Sequence, residues 1–173
     1  QIQTEMVVIL PEKLPENSKV KTLYLFHGLS DDCSIWTRKT SIERYAEDKQ
    51  IAVIMPSVNL SFYTDTAYGH RYFTFVGDEL PSVCRKFFPQ LSDKREDNFV
   101  AGLSMGGYGA LKVALTYPNR YCAAASLSGA LDIASDIQRN MDIRPEWAFF
   151  FQQIYGDLRM VNHSKHDIQY LAK

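Results

Sequence analysis

Two hydrophobic rhythms alternate along this chain. Short apolar runs mark strands: Ile51-Ala52-Val53-Ile54-Met55 is continuous and stopped by Pro56, as expected of a strand buried on both faces. Lys21-Thr22-Leu23-Tyr24-Leu25-Phe26 predicts a central strand ending at His27-Gly28, and Asp97-Asn98-Phe99-Val100-Ala101 another. Thr4–Leu10 and Tyr121–Leu127 complete the set, with Pro11–Lys19 a polar connection. Between the strands the spacing turns helical. Thr40-Ser41-Ile42-Glu43 reads as a capping box opening a helix through Asp48. Leu80, Val83, Cys84 and Phe87 recur on one helical face, and Met105–Leu115 follows as a third helix. Strands separated by helices predict an α/β domain: a mostly parallel sheet flanked by helices, with ligands at the strand carboxyl ends.

Beyond Gly129 the rhythm breaks. Asp132–Lys173 carries helical signals only: Trp147, Phe150, Phe151 and Ile154 ahead of Gly156, then Ser164-Lys165-His166-Asp167 as a second capping box. Residues 132–171 therefore read as a helical segment, either a lid over a site or helices packed on the sheet.

Composition narrows the function classes. The 173 residues are 46% hydrophobic, enough for one domain with a substantial core. With 19 basic and 20 acidic residues the net charge is −1, and no Lys/Arg-rich run occurs, so neither nucleic acid nor an anionic membrane is expected as a partner. Cys33, Cys84 and Cys122 lie far apart without C-x-x-C spacing, which argues against a disulfide framework or zinc site and for a reducing, cytoplasmic setting.

The chemistry is concentrated at Gly102-Leu103-Ser104-Met105-Gly106. The bare G-x-S-x-G pattern is weak, but here a predicted strand precedes it and a helix follows, the context of a nucleophile elbow. Ser104 would occupy the strained apex, with Gly102 and Gly106 letting strand and helix pass closely. The helix N-terminus would face any oxyanion formed there. One oxyanion donor would be the N–H of Met105, the residue after the nucleophile. The second would come from the loop His27-Gly28-Leu29-Ser30, as the N–H of Leu29, with Gly28 allowing the turn. No cofactor or metal is needed.

A serine needs a base, usually His held by a carboxylate, and in elbow enzymes the order is Ser, then acid, then His. His27 precedes Ser104 and reads as a loop former that hydrogen-bonds locally. His70 reads as a surface or pocket-rim residue. Asp132 or Asp157 with His163 or His166 satisfies the order, yet only helical signals separate them, and the histidines flank a capping box. The triad Asp and His are therefore expected beyond Lys173, after about two further strand–helix units of roughly 30 residues each. Residues 1–173 would then be the N-terminal portion of one domain, inactive alone. Its open, apolar sheet edge would pair with a second copy or with its own C-terminal fragment.

Leu25-Phe26-His27-Gly28-Leu29, Trp36 ahead of Thr40-Ser41-Ile42-Glu43-Arg44, Ser61-Phe62-Tyr63-Thr64-Asp65, Glu79-Leu80-Pro81 and Gly102–Gly109 together resemble the esterase D-like branch of the α/β-hydrolases. That branch includes S-formylglutathione hydrolases, tributyrin esterases, feruloyl esterases and mycolyltransferases; the chain is most similar to the tributyrin esterases. The resemblance spans nearly the whole chain and implies Ser104 as nucleophile, Leu29 and Met105 as oxyanion donors, and an Asp and a His further on. Trp36, Phe62, Tyr63 and Tyr68 read either as walls of an acyl pocket or as core; Asp65 either orients pocket groups or caps local N–H groups. The expected activity is serine carboxylesterase on a small-molecule, short-chain acyl ester through an acyl-enzyme. An S-formylglutathione-type thioesterase or acyltransferase is the alternative within the family. A non-catalytic binding or structural descendant is the alternative outside it.

Overall fold

A computed structural model describes residues 3–15, 18–141 and 144–173, with 140 and 141 as backbone only. Glu16 and Asn17 of the polar connection, and Asp142 and Ile143 of the C-terminal helical segment, lie outside the described residues. Five strands form one sheet in the order β1-β3-β2-β4-β5. They are β1 (Met6–Ile9), β2 (Lys21–Phe26), β3 (Ile51–Pro56), β4 (Asn98–Leu103) and β5 (Ala123–Leu127). β1 runs antiparallel to β3; the pairs β2–β3, β2–β4 and β4–β5 are parallel. The carboxyl ends of the four parallel strands therefore share one edge, and the sequence-predicted central strand is central.

The helices are α1 (Ile35–Lys39), α2 (Ile42–Lys49), α3 (Tyr72–Thr74), α4 (Leu80–Phe87), α5 (Met105–Thr116), α6 (Ile133–Met141), α7 (Pro145–Tyr155) and α8 (Ile168–Leu171), with a π-helical segment, Phe75–Glu79, joining α3 to α4. Two apolar clusters cover the sheet. The larger joins Tyr24, Phe26, Val100, Met105 and Tyr108 to α4, α5 and α7. The smaller lies on the other face, where Leu25, Val53 and Met55 meet Ala46 of α2.

Three local readings are corrected. The first capping box does not form. Ser41 is the N-cap of α2 without a side-chain bond, and Thr40 Oγ1 instead accepts from Ile42 N–H and donates to the Trp36 carbonyl. A preceding helix, α1, has claimed that hydroxyl. At α8 the cap is Asp167, whose carboxylate accepts from Gln169 and Tyr170 N–H, while Ser164 donates to Val161 O in the preceding turn. In α4 only Leu80 and Cys84 of the predicted face are buried, with Pro81 beside them; Val83 and Phe87 are exposed.

Coverage is uneven at the β4–β5 side. Along β5 Ala123, Ala125 and Leu127 are exposed, and on β4 Leu103, which pairs with Leu127, is exposed beside them. Among the described residues no strand pairs with the outer edge of β5.

Candidate active site

β4 delivers Ser104 directly to the first turn of α5, at φ 55° and ψ −114°. Side chains other than glycine rarely occupy that region, so the position stores strain that its surroundings must hold. The restraint comes from the backbone. Ser104 N–H donates to the Leu127 carbonyl (2.9 Å), and the Ser104 carbonyl accepts from Tyr108 N–H (3.1 Å) and Ala130 N–H (3.3 Å). The side chain is half-buried, and among the described residues its hydroxyl makes no hydrogen bond.

The flanking glycines are required by contact. A Cβ on Gly102 would overlap the backbone of Gly106, and one on Gly106 would lie 2.5 Å from Phe26 O and 2.6 Å from His27 O. Strand, helix and the end of β2 thus meet backbone to backbone. That packing brings the loop after β2 to the serine: a Cβ at Gly28 would stand 3.8 Å from Ser104 Cβ. Next in that loop comes half-buried Leu29, and next to Ser104 comes buried Met105. Neither their N–H groups nor Ser104 Oγ has a hydrogen-bond partner among the described residues.

His27 anchors this loop. Its Nε2 accepts from Val58 N–H (3.1 Å), so the proton sits on Nδ1, which donates to Gly28 O (2.8 Å). Burial pushes its pKa down and keeps the ring neutral. Tyr63 Oη donates to the His27 carbonyl at 3.1 Å. The sequence reading of a locally bonded loop former describes this residue.

No histidine bonds to Ser104 among the described residues. His70 packs edge-on against Tyr72, and His163 donates its backbone N–H to Asp167 Oδ2 (3.0 Å) while its ring lies against Tyr170. Asp157 is paired with Arg159 at 2.7 Å, and hydrogen bonds from Arg159 hold its carboxyl down at about 2. Asp132 lies 3.6 Å from Arg139.

His166 belongs to a separate polar cluster that sequence reasoning missed. Fully buried Lys112 of α5 donates to Thr64 Oγ1 (2.7 Å) and to His166 Nδ1 (3.2 Å). Its ammonium group lies 5.2 Å and 5.3 Å from the centres of the Phe73 and Tyr108 rings. Burial, reinforced by Lys165 and opposed by Asp65, lowers the Lys112 pKa to about 7. Burial and the two lysines lower that of His166 to about 3. Tyr108 Oη donates to the His166 carbonyl (2.8 Å), which ties the α8 region to α5.

The expected pocket walls are redistributed. Phe62 and Tyr63 are core residues: Tyr63 stacks on Phe26 with centroids 4.5 Å apart and fills the space over Gly109, while Phe62 packs on Tyr108 and Phe151. Trp36 joins the smaller core cluster, its Nε1–H directed at Phe26 O (3.3 Å). Tyr68 is 71% exposed. Asp65 caps locally, accepting from Thr74 N–H (2.8 Å) and Oγ1 (2.7 Å). In their place Leu29, Leu60, Trp147 and Phe150 line an apolar cavity of about 300 Å³, with Ser30 and Glu146 at its rim. The i, i+3 spacing of Trp147 and Phe150 was the available signal. Among the described residues no cluster of three or more His, Cys, Asp or Glu could hold a metal, and no helix is long and apolar enough to cross a membrane.

Comparison with known proteins identifies the lineage. Residues 2–165 match the Esterase family model, described as "Putative esterase". An acetyl esterase of Caldicellulosiruptor saccharolyticus is 35% identical over 180 residues, covering 98% of this chain and 67% of the relative. Two solved Staphylococcus aureus structures are also similar. Fluorophosphonate-binding serine hydrolase F is 42% identical with a TM-score of 0.83, over 96% of this chain and 65% of that one. The S-formylglutathione hydrolase FrmB is 41% identical with a TM-score of 0.81, over 98% and 66%. The chain thus spans about two thirds of the length of these relatives. A strained serine between close-packed glycines, on a mostly parallel sheet and within such matches, carries one conclusion: this chain belongs to the esterase family, in the esterase D-like branch of the α/β-hydrolases.

Proposed function

We propose that the protein is a serine carboxylesterase that cleaves short-chain acyl esters through an acyl-enzyme. The observation that carries this reading is the backbone of Ser104. A non-glycine residue held at φ 55° at a strand–helix corner, beside two unpartnered N–H groups, suits a nucleophile better than a structural serine. Ser104 Oγ attacks the ester carbonyl and passes its proton to an imidazole. The resulting oxyanion sits between the N–H groups of Leu29 and Met105. Collapse breaks the bond to the alkoxy oxygen, which leaves as the alcohol with that proton. Water then attacks the acyl-enzyme, assisted by the same imidazole, and releases the acid.

The histidine and its carboxylate come from the third of the relatives' length that this chain does not span. The uncovered face around Leu103 and Leu127 and the open edge of β5 are where that portion would pack, with a second copy of the chain as the alternative occupant. The free thiols of Cys33, Cys84 and Cys122 accord with a reducing compartment. The 35% identity to an acetyl esterase favours oxygen esters of small acids. The 41% identity to an S-formylglutathione hydrolase favours a thioester as the second reading. In the full-length protein, Ser104→Ala should lower turnover of p-nitrophenyl butyrate and of a butyryl thioester by at least about 10⁴-fold with folding intact. Turnover within tenfold of the parent would exclude Ser104 as nucleophile.

A further inference from the structure

We infer that the apolar cavity between Leu29 and α7 is the acyl-chain subsite, and that Trp147 and Phe150 set the longest chain it accepts. The inference rests on the esterase reading, since Leu29 supplies both an oxyanion donor through its N–H and one cavity wall through its side chain. The Leu29 side chain lines the cavity, and the loop that carries it stands against the serine, a Cβ at Gly28 lying 3.8 Å from Ser104 Cβ.

Its lining names the ligand class. Leu29, Leu60, Trp147 and Phe150 offer carbon surface, and the charge at the rim, Glu146, disfavours acyl groups ending in a carboxylate. A volume of about 300 Å³ is at the small end of ligand sites. At roughly 30 Å³ per water-sized group it holds no more than about ten non-hydrogen atoms. The fitting ligand is an unbranched, uncharged acyl chain of medium-to-short length.

The far wall is rigidly tied to the nucleophile. Trp147 and Phe150 meet edge-to-face at 5.7 Å, and Phe150 packs at 6.2 Å on Phe62, which is 4% exposed. Phe62 in turn packs on Tyr108, one turn along the helix that Ser104 begins (5.9 Å). Phe62 thus acts behind the pocket rather than in it, fixing the distance from Ser104 to the wall.

The test is a chain-length series of p-nitrophenyl esters, acetyl to dodecanoyl, on the full-length protein. The kcat/KM should rise about fourfold per methylene, as burial of each CH₂ predicts, peak at or below octanoyl and then fall. Trp147→Ala, and Phe150→Leu as a milder change in the same wall, should move the peak at least two carbons longer. Phe149→Ala, on the exposed side of the same helix, should leave it in place. An unmoved peak in both wall variants would overturn the inference. A second measurement does not depend on turnover: saturation transfer from the protein should favour 1-hexanol over 1-decanol in the parent and in Ser104→Ala, and shift toward 1-decanol in Trp147→Ala. An unchanged hexanol-to-decanol ratio in Trp147→Ala would also overturn it. Selective hexanol transfer without ester turnover would retain the apolar site and refute the esterase reading instead.

Discussion

Helix α5 contains two regions that stand in contrast. At its first turn, Gly102, Gly106 and the end of β2 touch backbone to backbone, and the serine between them is strained, half-buried and unpartnered. Two turns later Lys112 is sealed from water and satisfied by Thr64, His166 and two aromatic faces. The first region depends on side chains being absent, the second on side chains fitting around a buried amine. On the proposed reading, strain at Ser104 keeps a hydroxyl available for chemistry; Lys112 joins α5 to the Thr64 loop and the α8 region through two hydrogen bonds. A proposed nucleophile and a structural polar cluster thus share one helix and differ in what each polar atom touches.

The sharpest way to break this contrast is to put a side chain where none fits. Gly106→Ala sets a methyl group against backbone atoms of Phe26 and His27, which cannot rotate away. We expect a loss of at least about 3 kcal/mol, the upper end of overpacking costs, seen as a fall in melting temperature of at least roughly 6 °C for a domain of this size. An unchanged melting temperature would mean that strand and helix are not packed as described.

A smaller and oppositely directed effect is expected at Lys112. Its pKa is lowered in the folded state, so between about pH 7 and 10 the unfolded chain holds more of this proton, and stability should rise with pH. The contribution approaches about 1.4 kcal/mol per pH unit in the middle of that window. Lys112→Met removes the titrating group. Denaturant unfolding at pH 7.5, 8.5 and 9.5 should show a flatter dependence in the variant than in the parent. Parallel profiles would show that Lys112 is not held as a buried, easily deprotonated amine.

The same contrast explains what the sequence made legible. Gly102, Ser104 and Gly106 are read in order along the chain, because an elbow is a local strand–turn–helix event with a fixed spacing. β2, β3 and the α5 helix were equally plain from their apolar runs. The Lys112 cluster was not, since it joins residues 48 and 54 positions apart in the chain, and a lysine inside a helix ordinarily reads as a solvated side chain. The pocket stayed open for a related reason. Aromatic residues beside a motif, Phe62 and Tyr63, were as compatible with core as with wall, and only the docking of α7 brings Trp147 and Phe150, both half-buried, to line a cavity with Leu29. Thr40 misled because α1, five residues long, used its hydroxyl before α2 could.

The central claim is that Ser104 is the nucleophile, and covalent labelling tests it most directly. After reaction of the full-length protein with a fluorophosphonate, peptide mass spectrometry should find a single phosphonylated residue, Ser104, and Ser104→Ala should take up no label while keeping its fold. Label on another serine, or undiminished labelling of Ser104→Ala, would contradict the account.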